Sequence, residues 1–270
     1  MYLRKWFLTA FCFVAEYSKN IHLNASIIYF MDIKNKIAIV TGASSGIGTE
    51  FSRKLIQEGA TVYGLARNID RLKELQNILG ESFLPVKMDV TDHEKIASWV
   101  GKTFTEGKGP DILINNAGLG LFGPVDELKL EDWETMMNVN VNGIFYLTRQ
   151  IVPLMKRSGS HSHIINIASI AGMLGNPNLS GYNATKFAVR GFSEALFKEL
   201  RYDKIKVSCM FPGSIATSFF DNVDESETHD NMMQPEDVAD TLMHLLKTPD
   251  NMLINEIVMR PLNPKNPNES

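Results

Sequence analysis

Downstream of residue 36, short apolar runs rich in β-branched side chains alternate with longer stretches whose apolar positions recur at helical spacing. Residues 37–40, 61–65, 84–88, 112–114, 164–168, 207–211 and 253–258 read as strands. Residues 46–58, 69–78, 94–104, 131–156, 181–202 and 235–247 read as helices. Strand–helix alternation of this kind builds βαβ units around a parallel sheet. The expected fold is α/β: a doubly wound parallel sheet of about seven strands with helices on both faces, forming a single domain. No internal repeat is visible.

Composition narrows the picture. A chain of 270 residues, 44% of them hydrophobic, buries a sizeable core as one large α/β domain. A net charge of −4 offers no long-range attraction to phosphate backbones or anionic membranes, so no nucleic-acid partner is expected. Cys12 and Cys209 lie far apart and lack metal-site neighbours, which excludes a disulfide framework and points to a cytoplasmic setting. His161 and His163 precede a strand without a third ligand, and no metal is expected.

Residues 1–5 are basic and 6–15 apolar, a run shorter than the ~20 residues that span a bilayer. No small-residue cleavage site follows. Residues 1–30 are therefore expected to be an extension outside the domain, reflecting a misplaced start codon. The alternative, a weak membrane anchor or targeting segment, requires that extension to be expressed. The catalytic domain is expected over 31–262, with a flexible Pro/Asn-rich tail at 263–270.

Straight after the first strand comes a glycine-rich turn holding Gly42, Ser44, Ser45, Gly46, Ile47 and Gly48, and a helix opens from it. Glycines let backbone approach a ligand closely, and the helix N-terminus offers N–H groups and partial positive charge to a pyrophosphate. Between a strand and a helix of a βαβ unit, such a turn signals a dinucleotide site in a Rossmann-type sheet. The spacing is Gly-x3-Gly-x-Gly rather than the commoner Gly-x-Gly-x2-Gly.

With this turn the chain resembles the short-chain dehydrogenase/reductase family, and four further motifs agree in order. Asp89-Val90 is similar to the family's adenine-contacting pair, and Asn116-Ala117-Gly118, after Asn115, resembles its NNAG motif. Ser169, Tyr182 and Lys186 match the catalytic Ser and Tyr-x3-Lys. Pro212 and Gly213, with Ile215 and Thr217, match the motif beside the nicotinamide. The resemblance covers roughly residues 34–261. It implies a nicotinamide cofactor held by these residues and by Tyr182 and Lys186.

The second strand ends without an Asp or Glu, and Arg67 stands there instead. An acid at that position would take a ribose 2′-OH, whereas an Arg accommodates a 2′-phosphate. NADP(H) is the expected cofactor, with NAD(H) as the alternative.

Tyr182 and Lys186 are four apart in a helical pattern, so they share a face. A free phenol has a pKa of ~10, and a neighbouring ammonium is expected to lower it towards working pH. The resemblance makes Tyr182 the general acid/base and Lys186 its tuner and ribose ligand. It also makes Ser169 the group orienting the substrate oxygen. Asn140 matches the family Asn that holds a water linking Lys186 to solvent, although Asn138 and Asn142 lie close by.

The reaction implied is hydride transfer between nicotinamide and a small-molecule carbonyl or alcohol. Residues 218–234 resemble the substrate lid, with Phe219, Phe220, Met232 and Met233 flanking an acidic stretch. Leu119, Leu121, Phe122, Ile170, Met173 and Leu174 are expected to line an apolar pocket. Within the family the alternatives are a 3-oxoacyl reductase or a hydroxy-acid dehydrogenase, the latter in conflict with the lack of a basic cluster. From another class, a non-catalytic NADP(H)-sensing protein is the rival, although such a protein has no need to keep both Tyr182 and Lys186. Family likeness also implies a homodimer or homotetramer.

Overall fold

The computed structural model describes residues 31–104, 109–217, 219 and 231–263. The expectations placed on residues 1–30, on the tail beyond 263 and on most of the lid lie outside these residues. Seven strands form one sheet: β1 (Ile37–Thr41), β2 (Thr61–Ala66), β3 (Phe83–Lys87), β4 (Ile112–Asn115), β5 (Ser162–Ile167), β6 (Ile205–Pro212) and β7 (Glu256–Met259). All pairings are parallel, in the order β3-β2-β1-β4-β5-β6-β7. The helices between them are α1 (Gly46–Gln57), α2 (Ile69–Leu79), α3 (His93–Thr103), α4 (Leu130–Met137), α5 (Gly143–Ser158), α6 (Ser180–Leu200) and α7 (Pro235–Leu246).

The central strands are apolar at nearly every position because both of their faces are covered. Ala38, Val40, Ile112 and Ile114 pack with Phe51, Leu55, Val238 and Leu242 of α1 and α7. Ile39, Leu113, Ile164 and Val207 point the other way, onto Ile96, Leu147, Ile151 and Leu196 of α3, α5 and α6. Strand order reverses between β1 and β4, and in such sheets ligands bind there, beyond the carboxyl ends of the strands. Among the described residues no helix is long and apolar enough to cross a membrane.

One expected helix, 131–156, is interrupted. A π-helical turn, Asn138–Asn142, joins α4 to α5, and the Gly143 N–H reaches back to the Asn138 carbonyl. The wider turn sends Asn140 inwards, while the Asn138 and Asn142 side chains stay outside and bond to each other at 2.8 Å.

Candidate active site

At the carboxyl end of β1, Thr41 organises the glycine-rich turn. Its hydroxyl donates to the Ile114 carbonyl and accepts the N–H groups of Asn116 and Ala117, both at 2.9 Å. The Asn116 amide donates to the Thr41 carbonyl at 2.9 Å. The Asn116–Gly118 loop is thereby pinned beside Gly42. Gly42 has φ +65°, and a Cβ on Gly48 would stand 2.3 Å from the Gly42 oxygen, so only bare backbone fits this bend. Ser45 begins α1 without a side-chain capping bond, and no acid occupies the first turn. The N–H groups and positive end of α1 are thus presented to an anion. The Ile47 side chain packs against the core, so only its backbone faces the turn.

The other expected cofactor residues gather along the same edge. Arg67 is exposed just past β2, and Asn68 behind it caps α2 through its side chain. Burial pushes the Asp89 carboxyl up, but the Thr91 N–H and hydroxyl and the Arg67 charge outweigh this and hold it below the usual range. Val90 packs where a Cβ on Gly143 would collide with it, at 2.8 Å. Pro212 closes β6, and the Gly213 N–H donates to the Met259 carbonyl at 2.8 Å. Ile215 pairs with Met233, which brings the Thr217 side chain against Gly46.

Beyond β5, Ser169 caps a short 3-10 turn, Ile170–Gly172, its hydroxyl accepting the Ala171 N–H at 3.2 Å. Tyr182 and Lys186 project from α6, both buried. The ammonium lies 5.6 Å from the phenol ring centroid and donates to the Ile167 carbonyl at 3.1 Å. Proximity is as the spacing implied; the electrostatic outcome is not. Burial pushes the Tyr182 phenol up to about 12, with the Ser169 hydroxyl opposing it, and burial pulls the Lys186 ammonium down to about 8. In each case loss of water outweighs the opposing contact, the Ser169 hydroxyl for Tyr182 and Cys209 for Lys186. With the protein's own groups alone, the Tyr182 phenol keeps its proton at neutral pH.

Asn140 is 1% exposed. Its amide donates to the Leu119 carbonyl at 2.8 Å and the Thr185 hydroxyl at 3.1 Å, and its oxygen accepts the Leu119 N–H at 2.9 Å. Thr185 in turn donates to the Tyr182 carbonyl at 2.8 Å. Asn140 therefore clamps the loop after Gly118 to the helix bearing Tyr182 and Lys186.

Over the Tyr182 ring lies a small apolar cluster. Phe122 meets it edge-on at 5.5 Å, and Phe219 lies 5.9 Å away. Leu119, Leu121, Leu128, Met136 and Ala171 complete it. Of the other expected pocket residues, Met173 packs into the core with Ala168, Val189 and Phe211, Leu174 is exposed, and Met233 belongs to the α1–α7 core. Thr185 and Asn183 were not foreseen in this neighbourhood. Each is a small polar residue whose partners are remote in sequence, so periodicity carried no sign of them.

Comparison with known proteins gives this arrangement its context. The short chain dehydrogenase family model matches residues 36–228. An uncharacterized oxidoreductase of Staphylococcus epidermidis is 32% identical over 230 residues, covering 85% of this chain and 99% of the relative. A solved serine dehydrogenase in complex with NADP+ is 34% identical with a TM-score of 0.79, over 83% of this chain and 94% of that one. A 3-ketoacyl-(acyl-carrier-protein) reductase from Brucella melitensis, in complex with NADH, is 26% identical with a TM-score of 0.78, over 85% and 98%. With its parallel sheet, glycine turn and match over most of its length, the chain belongs to the short-chain dehydrogenase/reductase family of oxidoreductases.

Proposed function

We propose that this protein is an NADP(H)-dependent enzyme that transfers a hydride between nicotinamide and an uncharged, largely apolar carbonyl or alcohol, with Tyr182 as general acid/base. The observation that carries the reading is the meeting of Ser169, Tyr182 and Lys186 beneath an apolar cluster, at the sheet edge that also bears the glycine turn. Gly48 lets the start of α1 pack directly onto Gly42 and Asn116, and that N-terminus, with no side-chain cap and no acid in its first turn, suits a pyrophosphate. Gly42, Ser44, Ser45, Gly46 and Ile47 would border that group, Asp89, Val90 and Asn116 to Gly118 the nucleoside portions, and Pro212, Gly213, Ile215 and Thr217 the nicotinamide end. Arg67, exposed just past β2, would take a 2′-phosphate.

When bound, nicotinamide supplies or accepts the hydride. The Ser169 and Tyr182 hydroxyls hold the carbonyl oxygen, and Tyr182, a phenol at neutral pH, delivers the proton in the reductive direction. Lys186 holds the ribose and keeps a positive charge under the phenol. Both Asn140 amide hydrogens are committed inside the protein, so a water linking Lys186 to solvent would rest on an Asn140 oxygen. Exposed Phe145 and Phe187 on α5 and α6 support a homo-oligomer, and cysteine usage supports a cytoplasmic setting. The second reading, a 3-oxoacyl reductase, draws on the likeness to the Brucella melitensis structure.

A panel of ketones and alcohols, followed at the nicotinamide absorbance with NADPH and NADH in parallel, tests the proposal. Turnover with NADPH is expected, and Tyr182→Phe should lose ~10²–10⁴-fold of it. Equal efficiency with NADH removes the role given to Arg67. Tight NADPH binding without turnover of any compound would favour the sensing protein instead.

A further inference from the structure

Asn183 follows Tyr182 in the first turn of α6 and is 7% exposed. Its side chain makes no bond within its own helix. One amide hydrogen goes to the Ala171 carbonyl and the other to the Leu174 carbonyl, each at 2.6 Å. The side-chain oxygen accepts the Asn176 N–H at 3.3 Å. Three of the four bonds an Asn offers are thus spent on one loop, residues 170–176, that runs back from Ser169.

Ala171 is the joint in this arrangement. Its N–H donates to the Ser169 hydroxyl, and its carbonyl accepts from Asn183. The Gly172 N–H closes the same turn onto the Ser169 carbonyl at 2.8 Å. A second contact presses the turn onto α6: a Cβ on Gly172 would stand 2.7 Å from the Lys186 oxygen. The Ser169 hydroxyl is therefore tied, through one residue, to the side chain adjacent to Tyr182.

We infer that Asn183 is a positioning residue that fixes the Ser169 hydroxyl relative to the Tyr182 hydroxyl by clamping residues 170–176 onto α6. The inference rests on the catalytic roles proposed above for Ser169 and Tyr182. Asn183 touches neither hydroxyl, and its effect on chemistry passes through Ala171. Removing its amide leaves two carbonyls near Ser169 without their donor, and the loop gains freedom where two hydroxyls must converge on one oxygen. A displacement of about 1 Å at a reacting centre is enough to cost about 100-fold in rate.

The test is a double-mutant cycle on the full chain with Asn183→Ala and Ser169→Ala, alone and together. Asn183→Ala alone should lower kcat/KM for the ketone by about 100-fold, with an unchanged Kd for NADPH. In the Ser169→Ala background the same change should cost little more, because no hydroxyl remains to align. Asn183→Ser keeps one donor and should recover part of the loss. It also replaces Asn183→Ala in the cycle if that variant does not fold. Additive losses in the cycle would overturn the positioning role and leave only a structural one. Amide hydrogen exchange across 170–176 supplies a readout independent of turnover: faster exchange there in Asn183→Ala, with the rest of the sheet unchanged, is expected. Parent-like exchange would overturn the clamp. If the parent turns over no ketone at all, the proposed reaction fails, while the exchange result still decides whether Asn183 holds the loop.

Discussion

His163 sits in β5 at 1% exposure, paired by backbone with Ile112 and Lys206 of the flanking strands. Its Nε2 lies 2.8 Å from the Ser208 hydroxyl, whose own hydrogen goes to the Ile254 carbonyl at 2.6 Å. The imidazole must then be the donor, which assigns the neutral Nε2–H form and leaves Nδ1 a buried acceptor without a partner among the described residues. Protonating Nδ1 would place a charge in a dry strand beside the Lys206 ammonium. Burial first, and Lys206 second, hold the pKa down at about 3. An unfolded His takes up its proton near 6.5, so the unfolded chain alone gains from acid between those values. Stability is therefore whole above about pH 6.5 and is lost as the pH falls towards 3. At about 1.4 kcal/mol per unit of displacement, the loss is on the order of 2 kcal/mol by pH 5. Urea unfolding at pH 7 and pH 5, for the parent and for His163→Leu, isolates this contribution, because every other group titrates in both proteins. The parent should lose about 2 kcal/mol more than the variant between the two pH values. Parallel losses would show that His163 is charged, or water-exposed, in the folded protein.

Two predictions concern the edge of the sheet where the cofactor is proposed to lie. Gly48→Ala forces a Cβ to within 2.3 Å of the Gly42 oxygen, a backbone atom that cannot rotate away. It should cost about 1–3 kcal/mol of stability by overpacking and abolish the fluorescence change on NADPH titration; parent-like titration would rule out this turn as the cofactor's seat. The second uses pH. Because kcat/KM reports groups of the free enzyme, reduction should be level up to about pH 8 and fall about tenfold per unit above it. The fall marks loss of the Lys186 charge, whose pKa burial brings to about 8, while Tyr182, at about 12, is still protonated. A profile level to pH 10 would mean that the Lys186 charge plays no part.

The sheet was legible because its strands are covered on both sides: runs such as 37–40 and 112–114 are apolar without alternation, and their spacing by helical stretches leaves few topologies. The interruption of the 131–156 helix was not legible, because a π-turn adds its residue without disturbing the apolar pattern before or after it. Only the inward face of Asn140 against the outward Asn138 and Asn142 discloses it. Asn183 stayed hidden for a related reason. An Asn in a helix offers no sign of whether its amide meets water or, as here, carbonyls nine and twelve residues back along the chain. The Tyr182–Lys186 pair marks the deeper boundary. Spacing of i, i+4 fixes a distance, and at fixed distance Coulomb's law predicts a lowered phenol pKa. The sign that emerges is opposite because Phe122, Phe219 and Met136, from three separate stretches of chain, wall the phenol from water. Proximity within a helix is a local property that sequence encodes directly. Desolvation is the work of distant segments, and at this site it is desolvation that holds the proton on the phenol and loosens the lysine's hold on its own.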